Sequence, residues 1–280
     1  MISVKVGFIG YGSMADLLTR QFLAHADIAP KDLIIYTRSE NAKLQEIHEL
    51  FPEITISKTS LEVFEQAEHT FVCVLPLGVL PVLLENKEAL SSDKHVISIA
   101  AGVSVEDLKQ VTTNAQYSKV IPSLTTSVGI GTSLVNHDMA VSATNQAWLN
   151  HALGTFSTVQ EVAEENIDLA SDLTSSSPGF IAAIFEQFVQ AAVRKSSLTE
   201  PEVFQMISNS LAGTSRLLAE QGYTFDSLIK RVATKGGITA EGVELSQDKL
   251  PAFFDELLQR TEAKYDDHHA EIKEQLKALF

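Results

Sequence analysis

The segment VKVGFIGYGSMA, residues 4–15, leaves this chain few folds to choose from. An apolar run ends in Gly10-Tyr11-Gly12-Ser13-Met14-Ala15 and passes directly into a helical pattern over 14–26. In such a G-x-G-x-x-A turn the first glycine permits the tight bend, and the second lets a bulky anion approach the backbone. The alanine lets helix and strand pack closely, while the helix N-terminus offers N–H groups and positive potential. Alone, the pattern marks only a tight strand–helix turn. Opening a βαβ unit, it is the fingerprint of a dinucleotide pyrophosphate site.

The next segments repeat the alternation. Strand-like runs occupy 32–37, 53–57, 70–75, 95–100 and 117–121, with a polar helix around 40–50. Short β-branched runs between helical segments build a mostly parallel, doubly wound α/β sheet. After about residue 165 the strand signals stop. Residues 178–195, PGFIAAIFEQFVQAAVRK, are apolar around most of a helical circumference and demand cover on nearly all sides, most easily from a partner subunit. The next helix opens with Thr199 and Glu202 in capping-box spacing and Pro201 in its first turn, and Gly222 is its C′ residue. A short helix follows at 224–231, then a long amphipathic segment from Leu250. The expected architecture is a Rossmann-type dinucleotide-binding domain, 1–163, followed by an all-helical dimerisation and substrate domain, 164–280. The boundary falls in the polar, acidic stretch STVQEVAEENID.

Composition narrows the function. The chain is 45% hydrophobic, enough for a core, yet no apolar run approaches the roughly 20 residues that cross a bilayer. The first ten residues suit a strand rather than a signal peptide. A net charge of −15 argues against nucleic-acid and anionic-membrane partners. Cys73 is the single cysteine, which excludes an internal disulfide and points to a cytoplasmic setting; its apolar neighbours make it an inert thiol.

The second strand ends in Thr37-Arg38-Ser39, where NAD-binding domains place a carboxylate for the ribose 2′-hydroxyl. Two hydroxyls and a guanidinium suit a 2′-phosphate, so the expected cofactor is NADP(H). Glu40 is the competing carboxylate, read as the start of the next helix. Near the other end, ATKGGITAEG (233–242) interrupts the helical half. From its residues alone it is an interhelical turn with Thr239 as N-cap.

With the fingerprint, SIAAGVS (98–104) and KGGIT (235–239), the sequence resembles the pyrroline-5-carboxylate reductase family along nearly its whole length. The family's blocks recur in order as CVLPLGVL (73–80), KVIPSLT (119–125), IDLASDLTSSSPGF (167–180) and VATKGGIT (232–239). A closer likeness is to the branch encoded beside late-competence genes in Gram-positive bacteria. The resemblance implies NADPH-dependent reduction of the C=N bond of 1-pyrroline-5-carboxylate, a cyclic imino acid, to L-proline. It adds Val74, Leu75, Pro76, Ala100 and Ala101 to Gly10, Tyr11, Gly12, Ser13, Met14, Thr37, Arg38 and Ser39 as cofactor contacts. It makes Thr234, Gly236, Gly237, Ile238, Thr239 and Ser176 the substrate contacts. Backbone N–H groups near 237–239 would take the carboxylate, and the Thr239 hydroxyl, the catalytic group, would hold the ring nitrogen. It further implies a homodimer through interlocked helical domains, in some members assembled into a larger ring.

Departures from the family pattern are specific. Leu75 stands for lysine, Ser123 for asparagine, Lys235 for proline, and Ser175, Ser177 and Gly179 for Gly, Gly and Ala. These motivate a second reading, a member that binds NADP without turnover and acts as a regulatory or interaction protein. A third, a β-hydroxyacid dehydrogenase, needs a lysine near the start of the first long helix of the helical domain, and none lies between Lys119 and Lys195. Ser175, Ser176 and Ser177 lack a nucleophile elbow. The run Asp266-Asp267-His268-His269 reads as a solvated helix end, not a metal site. His25, His48, His69, His95, His137 and His151 are scattered and receive no role, and Trp148 is read as packing.

Overall fold

The computed structural model describes residues 4–39 and 41–279, so Glu40 lies outside the described residues. The first strands and helices are β1 (Val6–Ile9), α1 (Ser13–His25), β2 (Leu33–Tyr36), α2 (Ala42–Leu50), β3 (Thr55–Ile56), α3 (Ser60–Gln66), β4 (His69–Val72) and α4 (Pro76–Glu85). After these come β5 (His95–Ser98), α5 (Val105–Val111), β6 (Gln116–Ile121), β7 (Thr132–His137), α6 (Ala143–Gly154) and β8 (Thr158–Glu161). One eight-stranded sheet results, in the order β3-β2-β1-β4-β5-β6-β7-β8. All pairings are parallel except β6 with β7. This is the Rossmann-type sheet expected, extended at one edge by two strands the sequence reading did not assign.

Because β1 lies between β2 and β4, the winding reverses direction there, and a crevice opens beyond the carboxyl ends of these strands. Each face of the sheet carries its own core. On one, Phe8, Phe22, Phe71 and Phe156 pack together, with the Phe8 and Phe71 rings stacked at 5.2 Å. On the other, Val63, Phe64, Val79, Leu80 and Leu83 join Val96, Leu108 and Tyr117.

The remaining helices are α7 (Ile167–Ser171), followed by a π-turn over 172–176, then α8 (Ser177–Lys195), α9 (Glu200–Glu220), α10 (Phe225–Val232) and α11 (Ile238–Leu279). Helix α9 starts with the Thr199–Glu202 capping box, and Gly222 beyond its end has φ of 72°. Helix α11 runs 42 residues unbroken through Gly242 and Pro251, so it starts twelve residues earlier than the segment read from sequence.

Two compact units emerge. One runs up to Ser176 and includes the stretch from Thr261 onward; the other is Ser177–Arg260. The last turns of α11 therefore pack with the sheet-bearing unit. No helix among the described residues is long and apolar enough to cross a membrane.

Candidate active site

In the sheet-bearing unit, four loops leave the carboxyl ends of β1, β2, β4 and β5, which are neighbours in the sheet. Gly10 has φ of 87°, and a Cβ there would stand 2.9 Å from the Cys73 carbonyl oxygen, so both conformation and space demand glycine. Around Gly12 a Cβ would meet nothing within 4 Å; the site faces open space. Gly12 caps α1 without a side-chain acceptor, so no cap side chain occupies the first-turn N–H groups. Ser13 is exposed, Met14 half-buried and Ala15 buried against the sheet.

Tyr11 turns inward: it is 3% exposed, and its hydroxyl donates to Asp16 Oδ1 at 3.2 Å. Burial pushes its phenol far above the usual range. It offers the crevice its backbone only, and Asn41 Nδ2 holds its carbonyl at 3.1 Å. The Gly10 amide donates to the Tyr36 carbonyl at 2.8 Å, which ties the glycine turn to the end of β2. Just beyond, Thr37 is half-buried, Arg38 and Ser39 are exposed, and Arg38 has no ion pair among the described residues. Past β4, Cys73 and Val74 are half-buried, and burial raises the Cys73 thiol, as an inert thiol requires. Leu75, the N-cap of α4, is 83% exposed and Pro76 opens the helix. Past β5, the Ala100 amide donates to Ser98 Oγ, and Ala101 precedes Gly102, whose φ is 76°.

The π-turn also lies in this unit. Ser123, fully buried, donates through its hydroxyl to the Thr174 carbonyl at 2.8 Å, and the Ser175 hydroxyl donates to the Pro122 carbonyl at 3.1 Å. The two loops are stitched reciprocally. The buried Asp172 accepts from Thr261 Oγ1 at 2.5 Å and from the Tyr265 hydroxyl at 3.3 Å. Burial raises the Tyr265 phenol, and the neighbouring Ser171 and Ser176 side chains act the other way.

The glycine loop lies in the other unit. Gly236 has φ of 72°, and the Gly237 amide donates to the Thr234 carbonyl at 2.9 Å, closing a turn. A Cβ on Gly237 would come 2.7 Å from Thr234 Oγ1. Gly237 precedes the first residue of α11 and its carbonyl accepts from the Ala240 amide, so Gly237 rather than Thr239 occupies the cap position. Its amide is spent on the turn. The N–H groups of Ile238 and Thr239 lie in the first helical turn, where no intrahelical acceptor is available. Ile238 is 94% exposed, and Thr239 borders an open groove of about 680 Å³ shared with Phe188, Val243 and Phe254.

The residues left without a role are better organised than sequence spacing suggests. His69 Nδ1 lies 3.0 Å from His95 Nδ1, His95 Nε2 2.7 Å from Ser118 Oγ, and Ser118 Oγ 2.7 Å from His137 Nδ1. This line crosses β4 to β7 at the edge opposite the crevice. In the 266–269 run Asp266 and Asp267 are exposed, as the sequence reading has them, but the two histidines are engaged. His269 Nε2 stands 2.7 Å from Asp168 Oδ2, and His268 packs against Gly102.

Residues 164–267 match the family model described as pyrroline-5-carboxylate reductase dimerisation, and residues 5–102 match that of the coenzyme F420-dependent NADP oxidoreductases. Pyrroline-5-carboxylate reductase 3 of Bacillus subtilis is 42% identical over 94% of this chain and 96% of its own. The chain belongs to the pyrroline-5-carboxylate reductase family. ComE operon protein 4 of the same organism is 29% identical over 97% of this chain and 99% of its own, which is the competence-operon likeness. The solved pyrroline carboxylate reductase of Plasmodium falciparum, with NADP bound, shares the fold at a TM-score of 0.82. It is 20% identical, across 96% of this chain and 98% of that one. Within the family, the Ser123 and Ser175 departures fall on the one reciprocal stitch, so each is accommodated by the loop the other sits on.

Proposed function

We propose that this protein is an NADPH-dependent reductase of the C=N bond of 1-pyrroline-5-carboxylate, forming L-proline. The observation that carries the reading is the 42% identity to a pyrroline-5-carboxylate reductase over 94% of the chain. It gains physical content from the uncapped α1 N-terminus beside the open Gly12, which fits a pyrophosphate. In this reading Arg38, with Thr37 and Ser39, holds the 2′-phosphate of NADP(H). The loops of Val74, Leu75 and Pro76 and of Ala100 and Ala101 border the rest of the cofactor.

Bound NADPH supplies the hydride that adds to the imine carbon. The protein's share is positioning. The first-turn N–H groups of Ile238 and Thr239 take the substrate carboxylate at the positive end of α11. Gly236 and Gly237 keep side chains out of the way, Thr234 braces the turn, and Ser176 lines the site. The Thr239 hydroxyl holds the ring nitrogen, and an iminium that arrives protonated needs no separate acid.

We further propose a homodimer built through the 164–280 domain. Helix α8, apolar around most of its circumference, buries only Val189 in the single chain. Ile181 and Phe188 are about half exposed, at 48% and 56%. A larger ring of such dimers is a separate proposal, decided by particle mass. The lone thiol, Cys73, and the acidic balance favour a cytoplasmic setting. The second reading, binding without turnover, loses support where Ser123 and Ser175 fit without disruption. The test is NADPH oxidation on adding 1-pyrroline-5-carboxylate, with Thr239→Ala beside the unaltered protein.

A further inference from the structure

Helix α4 contains a proline in its interior, Pro81. Proline has no N–H, so the carbonyl four residues earlier, that of Leu77, loses its intrahelical donor. That carbonyl lies in the first turn of α4, directly after Leu75 and Pro76. An orphaned carbonyl there invites the turn to unwind or shift. Here it is occupied: Gln275 Nε2, from the far end of α11, donates to Leu77 O at 2.7 Å. The donor removed by Pro81 in sequence is replaced by a side chain 198 residues away from its acceptor.

The replacement is held in place by packing. Ile272 is 1% exposed and belongs to the same buried cluster as Val79, Leu80 and Leu83 of α4. Leu276 and Leu279 pack against that cluster. One turn earlier, His268 fills the space beside Gly102, where an added Cβ would meet the His268 Cβ at 2.9 Å. The last turns of α11 therefore brace two crevice loops, those after β4 and β5. Gln275 itself is held by this one bond: its Oε1 is buried and has no partner among the described residues. Only the amide nitrogen can face a carbonyl, which fixes the orientation of the side chain. Residues 268–279 lie outside both matched family segments.

We infer that Gln275 is a positioning residue for the cofactor loop: by supplying the donor that Pro81 lacks, it sets the first turn of α4 and the Leu75-Pro76 corner for the dinucleotide. The inference rests on the cofactor reading above. It makes the end of α11 a part of the nucleotide site rather than of the dimerisation apparatus.

The test is a double-mutant cycle with NADPH binding read by fluorescence titration. Gln275→Met keeps the length of the side chain and removes the donor. Pro81→Ala restores an N–H to the Leu77 carbonyl from within α4. Gln275→Met in the unaltered background is expected to weaken NADPH about fivefold, the scale of one net hydrogen bond, with kcat at saturating NADPH held within about twofold. In the Pro81→Ala background the same change is expected to have little effect. NADPH affinity unchanged by Gln275→Met overturns the inference, even if the thermal midpoint falls. So does a loss of equal size in both backgrounds. Should Gln275→Met alone fail to fold, the Pro81→Ala pair decides. A double variant that folds and binds like Pro81→Ala upholds the inference, and one that remains unfolded overturns it. An unaltered protein that binds no NADPH overturns the cofactor reading, and this inference with it, by a result distinct from a flat cycle.

Discussion

The Trp148 indole lies flat on the His69 imidazole, with ring centroids 3.5 Å apart and planes 2° from parallel. The stack closes one side of the His69–His95 pair and keeps water from it. Neutral imidazoles satisfy this line in either direction, one nitrogen donating and the next accepting. A proton added to both rings would set N–H against N–H across 3.0 Å. Burial accordingly pushes His69 and His95 down to about 3, and lowers His137.

Acid lability follows, with a definite sign. The folded-state values lie below the unfolded value of about 6.5, so the unfolded chain binds more protons as pH falls. The stabilisation is complete above about pH 6.5 and is lost progressively towards pH 3. Between pH 6.5 and 5 each buried ring is expected to remove up to about 1.4 kcal/mol per pH unit. Urea unfolding at pH 7.5, 6.5, 5.5 and 5 measures this, and a flat profile would contradict it.

Lys119 is fully buried, and its Nζ reaches Glu164 Oε1 at 3.2 Å, while the Glu164 side chain is 35% exposed. The pair is asymmetric. Glu164→Leu strands a fully buried cation and is expected to cost about 3 kcal/mol, whereas Lys119→Met strands the carboxylate of a partly exposed side chain, with its Oε2 buried, and costs less. Denaturant midpoints of the two variants decide the order, and the reverse order would refute it.

Arg38 is exposed and without an ion pair among the described residues, so its removal leaves the fold intact. Arg38→Ala is expected to weaken NADPH about tenfold or more and to leave NADH nearly unchanged, the loss of one charge-assisted phosphate contact. Paired titrations with the two nucleotides give the ratio.

Phe188 lies on the bare face of α8 and is 56% exposed in the single chain. Phe188→Asp is expected to turn the dimer into a monomer by putting a charge where apolar surface is buried. Sedimentation velocity reads the change directly, and an unaltered mass would refute this face as the dimer contact.

Most of the sheet was legible because its strands are buried on both faces. VGFI and LIIY carry continuous apolar character bounded by turns, HTFV runs on into the apolar residues 71–75, and the glycine fingerprint fixed where the first helix starts. The strands β7 and β8 were missed for physical reasons. Thr132–His137 mixes apolar residues with serine, asparagine and histidine, and Thr158–Glu161 is a polar edge strand inside what reads as an acidic boundary. Helix α11 was cut short because Gly242 and Pro251 are local breakers that the rest of the helix overrides. At the candidate site, spacing identified the loops but not the couplings between them. Ser123 with Thr174, Tyr265 with Asp172, and Gln275 with Leu77 pair across distances in sequence that no local pattern records.

The most direct test of the account is turnover. Purified protein is given NADPH and 1-pyrroline-5-carboxylate, and nucleotide oxidation and proline formation are followed together, with Thr239→Ala in parallel. The account expects oxidation matched by proline in the unaltered protein, and a fall of about 10²-fold or more in kcat for the variant, the scale for loss of a substrate-positioning group. NADPH that binds but is never oxidised, with no proline formed, would contradict it.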